Sequence, residues 1–132
     1  MAGISFHLNE RGLVDYRADK RFTVLGLWLT GDIQASLSGC LDLLADLADL
    51  GTGRPTEEEW EGNAFSGILS VKGLQLQNDY LPAQKAEYSL DEVRPVVDDY
   101  WRFIAGPQDT DTAVLAWERD NGRTHPRRGS LL

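Results

Sequence analysis

The sequence predicts an α+β fold, in which an antiparallel sheet of about five to six strands combines with two main helices. Two groups of short extended segments, before residue 30 and between residues 59 and 80, carry the strand signal. A long amphipathic stretch separates the two groups, and a second helical pattern lies near residues 93–105. Strands that follow one another through short turns are expected to pair antiparallel.

The first extended group begins as a hairpin. In "ISFHL", Ile4, Phe6 and Leu8 alternate with polar residues, "NERG" supplies the turn, and "LVDYR" returns the chain. The next run, "FTVLGLWL" at residues 22–29, is rich in β-branched and aromatic residues and predicts a central strand buried on both faces. Gly26 within it predicts a bulge or a close backbone approach.

A long amphipathic helix is predicted after this third strand. Thr30 is the expected N-cap and Asp32 the acidic residue of the first turn. One face is apolar at helical spacing, and it comprises Ile33, Leu37, Leu41, Leu44 and Ala48. Gly51 and Gly53 are expected to end the helix.

The second extended group covers "EWEGNAF", "SGILSV" and "LQLQNDY", with "VKGL" as a tight turn. Pro82 argues against a central strand in the connection that follows. Ser89 and Glu92 have the spacing of a capping box. Because Pro95 would interrupt a helix begun at Ser89, "SLDE" is interpreted as a separate turn and the main helix is expected to start near Pro95.

Residues 1–106 are predicted to form a single domain. Residues 107–132 are interpreted as a C-terminal extension, with a short strand over residues 112–118 followed by a mobile basic tail. From Arg119 onward this segment holds four arginines and one aspartate.

The charge balance disfavours some partners and favours others. The 132 residues carry a formal net charge of −8, and all of that excess lies in residues 1–105, with nine basic and seventeen acidic groups. Such a field repels phosphate backbones and anionic lipids, so neither nucleic acid nor membrane is expected to bind directly. A basic protein partner is favoured electrostatically; the alternative is an acidity that serves solubility alone.

No catalytic chemistry is predicted. Cys40 is the only cysteine, which excludes an intrachain disulfide, and its place on an apolar helix face predicts a small buried side chain. His7 and His125 lie far apart in the sequence, and phosphate-loop, dinucleotide and nucleophile-elbow motifs are absent. We therefore expect no enzyme activity, no metal and no cofactor. The N-terminus has no signal-peptide pattern, and a cytoplasmic protein is expected.

The most distinctive stretch is "EEEWEGNAF" at residues 57–65, where four glutamates surround Trp60. An exposed tryptophan within a negative rim has the composition of an interface hot spot facing Arg or Lys. Alternatively, strand alternation turns Trp60 inward and leaves a solvated polar face. The predicted partner-binding residues are Glu57, Glu58, Glu59, Trp60, Glu61, Asp79 and Tyr80.

The order of these features, from the hairpin through "FTVLGLWL" and the acidic helix to "LQND" and "YSLDEV…V.DYWRFI", resembles two groups of bacterial proteins. One comprises small acidic immunity proteins of contact-dependent growth-inhibition and other polymorphic toxin systems; the other is the uncharacterised YacL-like family. The resemblance covers residues 3–105 and implies an inhibitor that binds and neutralises a cognate toxin domain, often a nuclease. We expect a monomer or weak homodimer. The alternative is a housekeeping binding or regulatory module with no toxin partner.

Overall fold

The computed structural model describes residues 3–52 and 57–132 and has an α+β fold with two antiparallel sheets. The first sheet is the predicted hairpin, formed by β1 (Ile4–Leu8) and β2 (Val14–Ala18). Ile4 lies opposite Ala18 and Leu8 lies opposite Val14. The α+β class and this hairpin are confirmed, whereas the single sheet of five to six strands is replaced by sheets of two and four strands.

The second sheet contains four strands in the order β3-β4-β5-β6, all antiparallel. Their bounds are Glu58–Glu61 for β3, Phe65–Ser70 for β4, Gly73–Asn78 for β5 and Lys85–Tyr88 for β6. The predicted turn between "SGILSV" and "LQLQ" is confirmed, since Ser70 pairs with Gly73. Gly73 has φ +125°, and a Cβ atom there would lie 2.1 Å from the Tyr88 carbonyl oxygen, so the turn requires glycine.

Residues 22–29 form helix, so the predicted central strand is wrong. A 3₁₀ turn at Lys20–Phe22 leads into α1 (Thr23–Trp28), and a π-helical turn follows at Leu29–Ile33. A helix buried on most of its sides is apolar nearly all round, and a short apolar run of this kind has no periodicity to separate it from a strand. Gly26 lies in α1 against the Tyr16 ring, with which a Cβ would collide, so the glycine makes room for a side chain and does not form the predicted bulge or close backbone approach within a strand.

The long helix α2 spans Leu37–Gly51 and begins later than predicted. Ser36 is its N-cap, accepting a hydrogen bond from the Gly39 N–H at 3.0 Å. Thr30 instead donates its hydroxyl to the Gly26 carbonyl, within the preceding helical turns. Asp32 therefore stands outside α2, and the predicted end at Gly53 lies outside the described residues.

Helix α3 runs without interruption over Leu90–Ile104 and contains Pro95. The capping box of Ser89 and Glu92 is confirmed, but the separate turn before Pro95 is wrong. Proline removes the hydrogen bond to the carbonyl four residues earlier, that of Asp91. Asp91 and Pro95 are both exposed, so this carbonyl lies on the solvent side of the helix.

Residues 112–118, predicted as a strand, lie within helix α4 (Pro107–Asn121). Pro107 occupies the first turn and Gly122 takes a left-handed conformation with φ +67° at the C-terminus. A short helix, α5 (Arg128–Leu131), follows. Val114 and Trp117 are buried in the core, so residues predicted as an extension pack together with the body of the protein.

The helices lie on one side of the four-stranded sheet. Helices α1 and α3 contact β5, while α2 packs between α3 and α4. Phe65, Leu69, Leu74 and Leu76 point into this core, and the alternate residues of the same strands form an open face. None of the helices in the described ranges is long and apolar enough to cross a membrane.

Candidate partner-binding surface

Strand β3 divides the predicted acidic stretch between two faces of the sheet. Glu59 and Glu61 are exposed and point to the open face, and Glu57, just before the strand, is exposed as well. Glu58 and Trp60 alternate with them and point toward α2. We call Glu57, Glu59 and Glu61 the acidic edge, because β3 is the outermost strand on this side.

Trp60 takes the inward orientation. Its indole Nε1–H donates to the Asp46 carboxylate at 3.1 Å, and its ring packs edge-on against Trp28 with centroids 6.0 Å apart. The side chain is partly buried and belongs to the periphery of the core. Trp60 therefore attaches β3 to α2, and the exposed side chains of the stretch are those of Glu57, Glu59, Glu61 and Asn63.

The open face consists of two rows of side chains that cross all four strands. In one row Glu59 is in register with Ile68, Gln75 and Glu87, and in the other Glu61 is in register with Ser66, Gln77 and Lys85. Ile68 is the large apolar side chain among them and is 37% exposed. The face is thus mostly polar, with negative charge concentrated on the β3 side.

Asp79 and Tyr80 adjoin the same end of this face. The Asp79 N–H donates to the Ala64 carbonyl at 2.7 Å, and the Ser66 hydroxyl donates to the Asp79 carboxylate at 2.7 Å. Since Ser66 pairs with Glu61, Asp79 lies beside the row that contains Glu61. Tyr80 follows and is 76% exposed. The structure therefore brings Glu59, Glu61, Asp79 and Tyr80 to one surface and separates Glu58 and Trp60 from it.

Behind β3 is a second acidic feature, a cleft of about 350 Å³ between β3, α2 and α4. The residues that line this acidic cleft include Asp42, Asp46, Glu58, Trp60, Trp117 and Arg123, and Glu59 and Glu61 border it as well. Burial and, to a smaller extent, the negative charge of Glu58 together raise the pKa of Asp46 to about 6, although the hydrogen bond from Trp60 opposes the shift.

Helix α4 closes one side of the acidic cleft. Trp117 donates its indole N–H to Asp42 at 2.7 Å, and the Arg123 guanidinium lies over the Trp117 ring, 5.3 Å from the centroid. Arg123 also binds Asp49 at 2.9 Å. The sequence contained a signal for α4 that the strand prediction overlooked: Pro107 and Gly122 mark the start and end of a segment of helical length.

Ion pairing differs between the helices and β3. In the part of the chain that the structure describes, six arginines form ion pairs: Arg21 with Glu92, Arg102 with Asp99, Arg119 with Asp120, Arg123 with Asp49, Arg127 with Asp98 and Arg128 with Glu118. Within residues 3–52 and 57–132, no ion pair involves Glu57, Glu58, Glu59 or Glu61. The carboxylates of β3 are therefore uncompensated by the part of the chain described.

Cys40 and His125 are both buried, and His125 packs edge-on against Trp117 of the acidic cleft, with ring centroids 4.4 Å apart. Cys40 is buried as predicted, and burial raises the pKa of its thiol to about 12. His125 is 1% exposed, with Nε2 at 2.9 Å from the Leu41 carbonyl and Nδ1 accepting from the Arg127 N–H at 3.0 Å. Across the described ranges, no group of three or more His, Cys, Asp or Glu side chains could hold a metal ion.

Comparisons of the chain with protein-family models, curated proteins and solved structures found no match.

Proposed function

We propose that this protein is an immunity protein that binds and neutralises a cognate toxin domain through protein–protein contact. The observation that carries the proposal is the acidic edge of Glu57, Glu59 and Glu61, whose carboxylates have no cation beside them among the residues described. In this proposal the partner is basic and nuclease-like, and the protein acts by covering the surface on which that partner holds its substrate.

The electrostatic argument connects the acidic edge to this class of partner. A nuclease gains affinity for nucleic acid by placing Lys and Arg against phosphates, so its substrate groove is positively charged. An acidic surface on the inhibitor accelerates encounter with that groove and disfavours wrong partners. A net charge of −8 acts in the same direction over a longer range.

The open face supplies the contact area for such a complex. Glu59, Glu61 and Asp79 form an acidic side, while Ile68 and Tyr80 offer apolar surface within reach. Apolar anchors bordered by polar groups are typical of specific interfaces. Neutralisation by occlusion requires no catalytic residue, metal or cofactor on this chain.

The direct test is co-expression with the C-terminal domain encoded by the neighbouring gene. We expect growth to be rescued and a 1:1 complex to be recovered. Failure of both, with no binding at about micromolar concentration, would contradict the proposal. Recovery of a chromosomally unlinked partner instead would favour the housekeeping binding module.

A matched pair of variants makes this test specific to the surface. Glu59→Lys with Glu61→Lys reverses two charges on the acidic edge, and Glu10→Lys with Asp111→Lys reverses two exposed charges elsewhere. The first pair should reduce rescue and the second should preserve it. Equal loss in both would show that only total charge matters.

A further inference from the structure

The two outer strands of the four-stranded sheet present different main-chain edges. On β3, the Gly62 N–H donates to the Phe65 carbonyl at 3.0 Å, which makes Gly62 and Phe65 a hydrogen-bonded antiparallel pair. Such pairs recur at every second residue, so Trp60 bonds toward β4 and the main-chain groups of Glu59 and Glu61 point away from it.

The opposite edge, on β6, is partly occupied. The Asn78 N–H donates to the Gln84 carbonyl at 2.9 Å, and the same alternation directs the main-chain groups of Lys85 and Glu87 outward. The Glu87 carbonyl accepts from the Arg21 guanidinium at 2.8 Å, and the Lys85 N–H donates to Ala83 at 3.1 Å.

The β3 edge has no comparable cover. No residue in the described ranges bonds to the outward N–H or C=O groups of Glu59 and Glu61, and both residues are exposed. An open strand edge is a template for pairing with another chain, and charged side chains on it reject most candidates. The β3 edge is therefore both available and selective.

We propose that an extended segment of a basic protein partner pairs with β3 as an additional strand, with Lys or Arg opposite Glu59 and Glu61. This inference rests on the proposed function, since it specifies how the partner is bound. The partner's main chain would bond to the outward groups of Glu59 and Glu61, and its cationic side chains would lie on the open face.

The reverse face of β3 extends the same complementarity. A residue opposite Trp60 would point to the other side of the sheet, toward the acidic cleft that contains Asp46 and Glu58. A basic side chain is favoured there as well. A second copy of this chain is a poor occupant, because antiparallel pairing of two β3 strands would place glutamates against glutamates.

The first test uses a probe that requires no cognate partner: a synthetic peptide of about eight residues in which lysine and valine alternate, long enough for one strand. A peptide of the same composition with its lysines grouped at one end is the control for charge alone. Each is added to isotope-labelled protein, and amide hydrogen exchange is measured by NMR.

The alternating peptide should slow exchange at the Glu59 and Glu61 amides at least about tenfold, because those hydrogens become bonded. The Trp60 amide is already bonded to β4 and the Glu87 amide lies on the other edge, so neither should change. Absence of binding, protection equal to that from the grouped peptide, or protection at Glu87 would overturn the proposal.

The second test removes the donor itself. Glu59→Pro deletes an outward N–H and leaves the ladder with β4 intact, a position where proline is tolerated in strands. Its affinity for the alternating peptide should fall about tenfold, equivalent to about 1.4 kcal/mol. Glu87→Pro makes the same change on β6 and should bind as the wild type does. Equal affinity in Glu59→Pro would also overturn the proposal.

These results are separable from those on the proposed function. If the alternating peptide protects the amides but no toxin partner is found, the strand-pairing site is supported and the proposed toxin-binding function is contradicted. If a toxin complex is recovered but the Glu59 and Glu61 amides stay unprotected in it, the proposed function is supported and strand pairing with β3 is contradicted. Should Glu59→Pro fail to fold, the exchange measurement on the wild type decides alone.

Discussion

The carboxylates on the helices and those on β3 are used in opposite ways. Asp49, Asp98 and Glu118 each form an ion pair with an arginine of the C-terminal segment. Folding therefore neutralises the charges of this basic segment. The acidic edge of β3 has no such counterpart in the described residues. Three of the helix acids thus take part in contacts within the fold, and in our proposal the acidic edge is where an external cation binds.

The largest effect is expected where the C-terminal segment joins the core. Trp117→Ala removes a buried ring together with its contacts to Asp42, Arg123 and His125, and should lower the free energy of unfolding by about 4 kcal/mol. Leu115→Ala, on the same helix but 52% exposed, is the control and should cost under about 0.5 kcal/mol. Chemical denaturation measures both. Equal losses would mean that α4 contributes little to the core.

The second effect is a dependence of stability on pH through His125. Burial lowers the pKa of His125 below its ordinary 6.5, so its neutral form favours the folded state. This contribution is complete above about pH 6.5 and is lost as the pH falls, at up to about 1.4 kcal/mol per pH unit.

Glu118, Asp98, Arg123 and Arg127 face the same region as His125, and all four are kept in a His125→Gln variant. Subtracting the stability profile of His125→Gln from that of the wild type therefore isolates the histidine. His7→Gln is the matched control, and we expect it to keep the wild-type slope. A profile of His125→Gln parallel to that of the wild type would contradict the buried neutral histidine.

A smaller effect of opposite sign is expected at Asp46. Its raised folded pKa of about 6 means that the charged form is disfavoured in the folded state, so the contribution of Asp46 to stability is fully present below pH 3.8 and is lost as the pH rises through about 6. Asp46→Asn should therefore stabilise the protein by about 1 kcal/mol at pH 7, after allowance for solvent screening. Near pH 4 the gain should disappear. The exposed Glu57→Gln should show no gain at either pH.

The smallest effect on stability is predicted for the acidic edge. Glu59→Lys with Glu61→Lys should change the free energy of unfolding by less than about 0.5 kcal/mol, because neither side chain has an internal partner in the part of the chain described. Thermal unfolding measures this change, with the Glu10→Lys and Asp111→Lys variant as the control. A loss of several kcal/mol would show that the edge acids stabilise the fold, as the paired acids of the helices do.

Local signals in the sequence predicted the local structure well. The Ser89 capping box and the turn before Gly73 depend on neighbouring residues alone, and both are confirmed. The strand predicted for residues 22–29 was wrong because a helix buried on most sides lacks the hydrophobic periodicity that distinguishes a helix from a strand. The helix break predicted before Pro95 was wrong. The free-energy cost of a proline within a helix depends on whether the carbonyl that loses its hydrogen bond faces solvent, and only the packing of α3 reveals this.

The candidate surface was predictable only in part. Alternation along β3 placed Glu59 and Glu61 together and turned Trp60 inward, one of the two orientations considered from sequence. The proximity of Asp79 to Glu61 depends on the pairing of β4 with β5. Which acids are neutralised by arginines could not be predicted, since those pairs join residues far apart in the sequence, such as Arg123 and Asp49.

The first measurement to make is the rate of association with the proposed partner domain at low and high salt, because it reports whether β3 is the binding surface. We expect Glu59→Lys with Glu61→Lys to lower the association rate at low salt at least about tenfold and to weaken its salt dependence. The Glu10→Lys and Asp111→Lys pair, with the same change in net charge, should lower it far less. Equal rates for the two pairs would contradict the claim that β3 is the binding surface.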